Sequence, residues 1–93
     1  MRRIKFTRRF KRDYRRETSG RHAPVLDEKL KEVLRYLERD APLPRHNFDH
    51  ALSGQWMDCR DCHIRPDLIL IYRKPDDETL ELVRLGSHSE LGL

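Results

Sequence analysis

The chain is poor in the residues that staple, kink or span. Its 93 residues include two Cys, four Gly, five Pro, one Trp, three Tyr and three Phe. Two cysteines cannot build the disulfide framework of a small secreted domain. So little Gly and Pro excludes a collagenous or low-complexity chain. No apolar run approaches the ~20 residues of a membrane span. The N-terminus lacks the apolar stretch of a signal peptide. A cytoplasmic protein with no membrane partner is therefore expected. The length fits one domain, 1–93, with a limited core, and excludes a large enzyme with a deep cofactor cleft. Wholesale disorder is excluded by dense apolar stretches such as Leu68-Ile69-Leu70-Ile71-Tyr72.

Charge is abundant and uneven. Charged residues make up 39% of the chain, and its net charge is +4. Residues 1–21 carry ten Lys and Arg against Asp13 and Glu17, a net +8, which leaves the remainder at −4. A basic end on an acidic body points to a polyanionic partner. The plainer reading is a solvated, Arg-rich helix face.

Ile4 and Phe6 alternate in Arg2–Thr7 and predict a first strand. Thr7 suits the N-cap of a short helix that holds Phe10 and Tyr14 at i and i+4. Arg8, Arg9, Lys11, Arg12, Arg15 and Arg16 cover the rest of that helix. Ser19-Gly20 breaks it. Pro24 suits the first turn of a second helix, with Leu26, Leu30, Val33, Leu34 and Leu37 on one face and an end near Asp40. The segment from Ala41 through Gly54 reads as loop. Three strands follow: Trp56–Ile64, Asp67–Arg73 and Leu80–Leu85, with Gly86 ending the last. In the first of these, Cys62 and Ile64 face one way and Asp61 and His63 the other. The second is apolar on both faces, as a central strand should be. The order β-α-α-β-β-β predicts an α+β fold, an antiparallel sheet with helices on one face.

Cys59-x-x-Cys62-His63 invites a zinc site, but structural zinc asks for four ligands, and the chain has no second Cys pair. No metal and no cofactor are expected. On the face away from the helices lie Asp61 and His63. His50 precedes these strands, Asp67 begins the central one, Arg84 lies in the last, and His88 follows it. Singly, each has an ordinary explanation: a loop histidine, a turn aspartate, a surface arginine. Together they suit RNA cleavage. RNA carries its own nucleophile, the 2′-OH beside the scissile phosphate. What remains is a base, an acid and positive charge for the transition state. Imidazole titrates in the right range for both proton transfers. An aspartate can fix its tautomer, and an arginine can stabilise developing charge.

Three segments carry a family resemblance: Asp49-His50-Ala51-Leu52-Ser53-Gly54-Gln55-Trp56, Arg60-Asp61-Cys62-His63-Ile64 with Pro66-Asp67-Leu68-Ile69-Leu70-Ile71-Tyr72, and Arg84-Leu85-Gly86-Ser87-His88. In this order the chain resembles the YafQ branch of the RelE/ParE-like bacterial toxins. The resemblance implies a RelE-like fold and a toxin of a type II toxin–antitoxin pair. It implies an mRNA interferase acting at the ribosomal A site. It also implies a cognate antitoxin that neutralises the toxin and carries the complex to operator DNA. By position, His50, His63, Asp67 and His88 match the family's active-site residues, and Asp61 an acidic residue of the same motif. His88 is then the general acid, with His50 or His63 as base or phosphate contact. Asp67 orients an imidazole. Arg84 as transition-state stabiliser follows from its strand position. The basic helix would bind RNA or the ribosome. The chain departs from the family pattern at Gly92, where an aromatic is frequent, and at Leu68, where a Trp can occur. The competing readings are a ParE-like toxin with another target, such as a topoisomerase, a non-catalytic RNA-binding module, and a small zinc protein.

Overall fold

The computed structural model describes all residues, 1–93. Strand β1 (Arg3–Phe6) leads into helix α1 (Arg8–Glu17), then α2 (Leu26–Glu38), a two-residue strand β2 (His50–Ala51), the strands β3 (Arg60–Arg65), β4 (Leu68–Arg73) and β5 (Thr79–Gly86), and a four-residue helix α3 (His88–Leu91). The sheet order is β1-β5-β4-β3-β2. The pairs β2–β3, β3–β4 and β4–β5 are antiparallel, as the tight turns require. The pair β1–β5 is parallel, so the sheet is mixed rather than wholly antiparallel. The reason is connectivity. The two helices return the chain across the sheet before its second half begins, and such a crossover permits a parallel pair.

Thr7 caps α1 as its chemistry predicts. Its Oγ1 accepts from the Phe10 N–H at 3.0 Å and donates to the Val83 carbonyl at 2.7 Å, tying the helix start to β5. Pro24 lies in a separate 3-10 turn, Ala23–Val25, and α2 begins one residue later. The predicted strand Trp56–Ile64 is shorter than its alternation suggested. Gly54–Trp56 forms a 3-10 turn entered at Gly54 with φ +66°, and pairing starts only at Arg60.

Both faces of β4 are buried. One packs with Phe10, Leu26, Leu30, Val33 and Leu37 of the helices, joined by Cys62, Leu70, Tyr72, Leu80, Leu82 and Leu85. The other is a smaller cluster of Cys59, Ile69, Ile71 and Leu91. That two-sided burial is the reason β4 is continuously apolar.

A bulge shapes the end of β5. Ile71 pairs with Arg84 but Tyr72 pairs with Leu82, leaving Val83 extra. Bulges of this kind re-aim side chains. Arg84 turns to α1, where Asp13 receives its Nε at 2.7 Å and its Nη2 at 3.1 Å. The Asp13 carboxylate also accepts the Leu85 N–H at 3.0 Å and the Arg16 Nη1–H at 3.0 Å. Asp13 is buried, and burial alone would raise its pKa. The Arg84 and Leu85 hydrogen bonds and the charges of Arg84 and Arg16 outweigh that and hold it below its ordinary 3.8. Its contribution to stability is full above the unfolded-state value and is lost as pH falls through the folded one. Asp13→Ala strands the Arg84 guanidinium and is expected to cost about 3–5 kcal/mol, read from urea unfolding at neutral pH, with the deficit shrinking in acid.

Candidate active site

The short strand β2 is the element that assembles the site. Its His50 stands directly opposite Asp61 of β3, so the two side chains share a face. Asp61 pairs onward with Ile71 and His63 with Ile69, both members of the small cluster away from α1 and α2. Asp61 and His63 therefore share the face away from α1 and α2, as alternation along β3 predicts. The predicted loop around His50 is in fact a strand edge. Asn47 braces this edge by donating from Nδ2 to the His63 carbonyl at 2.7 Å.

The tautomers follow from the partners. His50 Nδ1 lies 2.8 Å from the Phe48 carbonyl. A carbonyl only accepts, so Nδ1 carries the proton, and in the neutral ring the lone pair is on Nε2. Asp61 Oδ1 is 3.1 Å from the same nitrogen, but the N–H is already given to Phe48. That oxygen has a charge contact and no hydrogen bond. Asp61 is 3% exposed, so burial raises its pKa, while the nearby His50, His63 and His88 act to lower it.

His88 begins α3 behind a capping box. Ser87 Oγ accepts the Glu90 N–H, and Glu90 accepts the Ser87 N–H at 2.8 Å. His88 Nδ1 and its backbone N–H both approach Asp67 Oδ1, at 3.2 and 3.3 Å. An Nδ1–H donated to Asp67 leaves Nε2 facing outward. The hydrogen bonds from His88, with help from Arg21, hold the Asp67 carboxyl below its ordinary value. Arg21 reaches Asp67 Oδ2 at 3.1 Å. His63 sits between, its ring centroid 5.3 Å from that of His88 and 5.3 Å from that of Phe48. Burial lowers the His63 pKa first, and the other two imidazoles push the same way, while Asp61 and Asp67 oppose them.

Thus His50, Asp61, His63, Asp67 and His88 converge. Arg84 does not join them. Its guanidinium pairs with Asp13, so it is a half-buried structural partner of that carboxylate. Arg16 is likewise not a free member of the basic face. It is tied to Asp13, Glu17, Glu90 and the Leu85 carbonyl. Arg8, Arg9, Lys11, Arg12 and Arg15 are exposed as predicted. Cys59 and Cys62 belong to separate apolar clusters on opposite faces, so their spacing forms no paired ligand set. Burial raises both thiols, Cys59 to about 11.

Arg21, Asn47 and Phe48 are site neighbours that the sequence reading missed. Each acts from a turn or helix break, where no periodicity exists to mark it. The Ser87-x-x-Glu90 spacing, by contrast, is a legible helix-start signal for α3.

Residues 2–92 match the family described as a bacterial toxin of type II toxin–antitoxin system, YafQ. The chain is 44% identical over 64 residues to an mRNA interferase toxin YafQ of Escherichia coli strain K12, covering 68% of each. It is 46% identical over 55 residues to a putative toxin YafQ of Haemophilus influenzae, covering 56% of this chain and about half, 54%, of that relative. The crystal structure of the E. coli DinJ-YafQ complex aligns with a TM-score of 0.80 over 98% of both chains at 32% identity.

Because the Asp61 charge opposes the depression of His63, Asp61→Asn is expected to lower the His63 pKa further. The measurement is an NMR titration of the imidazole Hε1 resonances.

Proposed function

The chain belongs to the YafQ family of type II toxin–antitoxin toxins, and we propose that its mRNA interferase activity rests on histidine acid–base catalysis of 2′-OH attack, without a metal. The observation that supports this most is the free Nε2 on two imidazoles whose Nδ1 atoms face a carbonyl or carboxylate oxygen. A neutral His50 offers its Nε2 lone pair to the 2′-OH proton. A protonated His88, its ring oriented by Asp67, delivers a proton from Nε2 to the departing 5′-oxygen. The 2′-oxygen bonds to phosphorus as the P–O5′ bond breaks, so a 2′,3′-cyclic phosphate and a 5′-hydroxyl form. His63, between the two, contacts the phosphate. Asp61, buried on the same face, is the carboxylate that the three rings surround.

The cleavage takes place on the ribosome, at the A site, in the cytoplasm. The exposed Arg8, Arg9, Lys11, Arg12 and Arg15 give a sequence-independent contact to an RNA backbone. The toxin is held inactive by a cognate antitoxin, as the DinJ-YafQ complex supports for its relative. Through that antitoxin the pair reaches operator DNA. The clustered histidines favour this reading over a ParE-like toxin with another target or a plain RNA-binding module, neither of which gives them a task.

His88→Ala is expected to reduce cleavage of translating mRNA by about 10²–10⁴-fold and to relieve growth arrest, with folding and antitoxin binding retained. Undiminished cleavage by this variant removes His88 from the acid role.

A further inference from the structure

Phe48 presents its ring to solvent, 61% exposed, from a backbone at φ 46° and ψ 48°. That left-handed conformation is an outlier for a bulky residue. Strain of this kind persists where the surroundings impose it, and it gathers at functional sites. The main-chain contacts of Phe48 are accounted for. Its N–H reaches the Arg45 carbonyl at 3.0 Å, and its carbonyl takes the His50 Nδ1–H. Neither contact asks for a side chain, and Gly or Asn would sit there with less strain. The phenyl ring needs a separate reason.

Its surroundings supply one. The Phe48, His63 and His88 rings form a row, with 5.3 Å between successive centroids. On the other side Phe48 borders a cleft of about 750 Å³ between α2 and the β3 edge. Lys29, His46 and Arg65 line it with a single acid, Glu32, and Tyr36 adds a second aromatic face. We propose that Phe48 is a stacking platform for one base of the RNA strand, next to the phosphate held by the histidines. This rests on the ribonuclease reading given above. An RNA strand suits the surface because the cleft is continuous with the histidines and its rim is net positive. A phenyl face also stacks any base. The ring thus fixes where the strand lies, while the carbonyl of the same residue fixes the His50 tautomer.

The test is Phe48→Gly, which keeps the carbonyl and relieves the backbone. Its thermal stability should equal or exceed that of the wild type. Cleavage of ribosome-bound mRNA at subsaturating substrate should fall about 10-fold, recover in Phe48→Trp, and keep its pH–rate profile. mRNAs with an abasic nucleotide at each A-site position in turn supply the specific readout. At one position the wild type should fall to the rate of the variant, and the variant should be indifferent to the missing base. The platform is overturned if the variant matches the wild type, if the two losses multiply at every position, or if only antitoxin affinity changes. A wild-type protein that cuts no mRNA overturns the ribonuclease reading itself, and that outcome is distinct from all three.

Discussion

A carboxylate buried on an open sheet face is the constraint on which the site depends. Asp61 is almost wholly buried, and one of its oxygens has no hydrogen-bond donor. An uncompensated charge in that position is costly. Three imidazoles face it, supplied by β2, β3 and the start of α3.

A second buried acid sets the geometry from the other side of β5. Asp13 holds Arg84 and the Leu85 N–H, so α1 and the end of β5 move as one body. Arg16 extends that contact to Glu90, which also caps α3. The fit is close. A Cβ on Gly86 would lie 2.8 Å from Arg16 Nη2 and 3.0 Å from Glu90 Oε1, so a side chain there would push these two flexible ends aside. His88, the first residue of α3, inherits its position from this lattice of charges. Part of the basic N-terminal segment thus serves the fold, and the remainder of it faces solvent.

Much of this was legible in the residues. The α1 cap at Thr7, the α2 stripe, the two-sided burial of β4 and the shared face of Asp61 and His63 all follow from local spacing. What the spacing misplaced has identifiable causes. The bulge at Val83 breaks the period of two, so the direction of Arg84 could not be counted along the strand. β2 is two residues long, too short to show alternation, and it exists only through its pairing with Asp61 and Arg60. The parallel β1–β5 pair depends on how the helices cross the sheet, a non-local property. Phe48 and Arg21 owe their places to a strained turn and a helix break, where patterns carry no information.

An RNA substrate brings its own nucleophile, so the proposed reaction asks little of the protein. In the proposed reaction two imidazoles move the protons, while the Phe48 carbonyl and the Asp67 carboxylate hold their rings. That division of labour fits a chain of 93 residues with a limited core. It also dictates the chemistry of the cut ends. Mass spectrometry of the fragments from ribosome-bound mRNA is the most direct measurement. The account predicts a 2′,3′-cyclic phosphate on the upstream fragment and a 5′-hydroxyl on the downstream one. A 3′-hydroxyl with a 5′-phosphate would mean that water, not the 2′-OH, attacks the phosphate, and would contradict it.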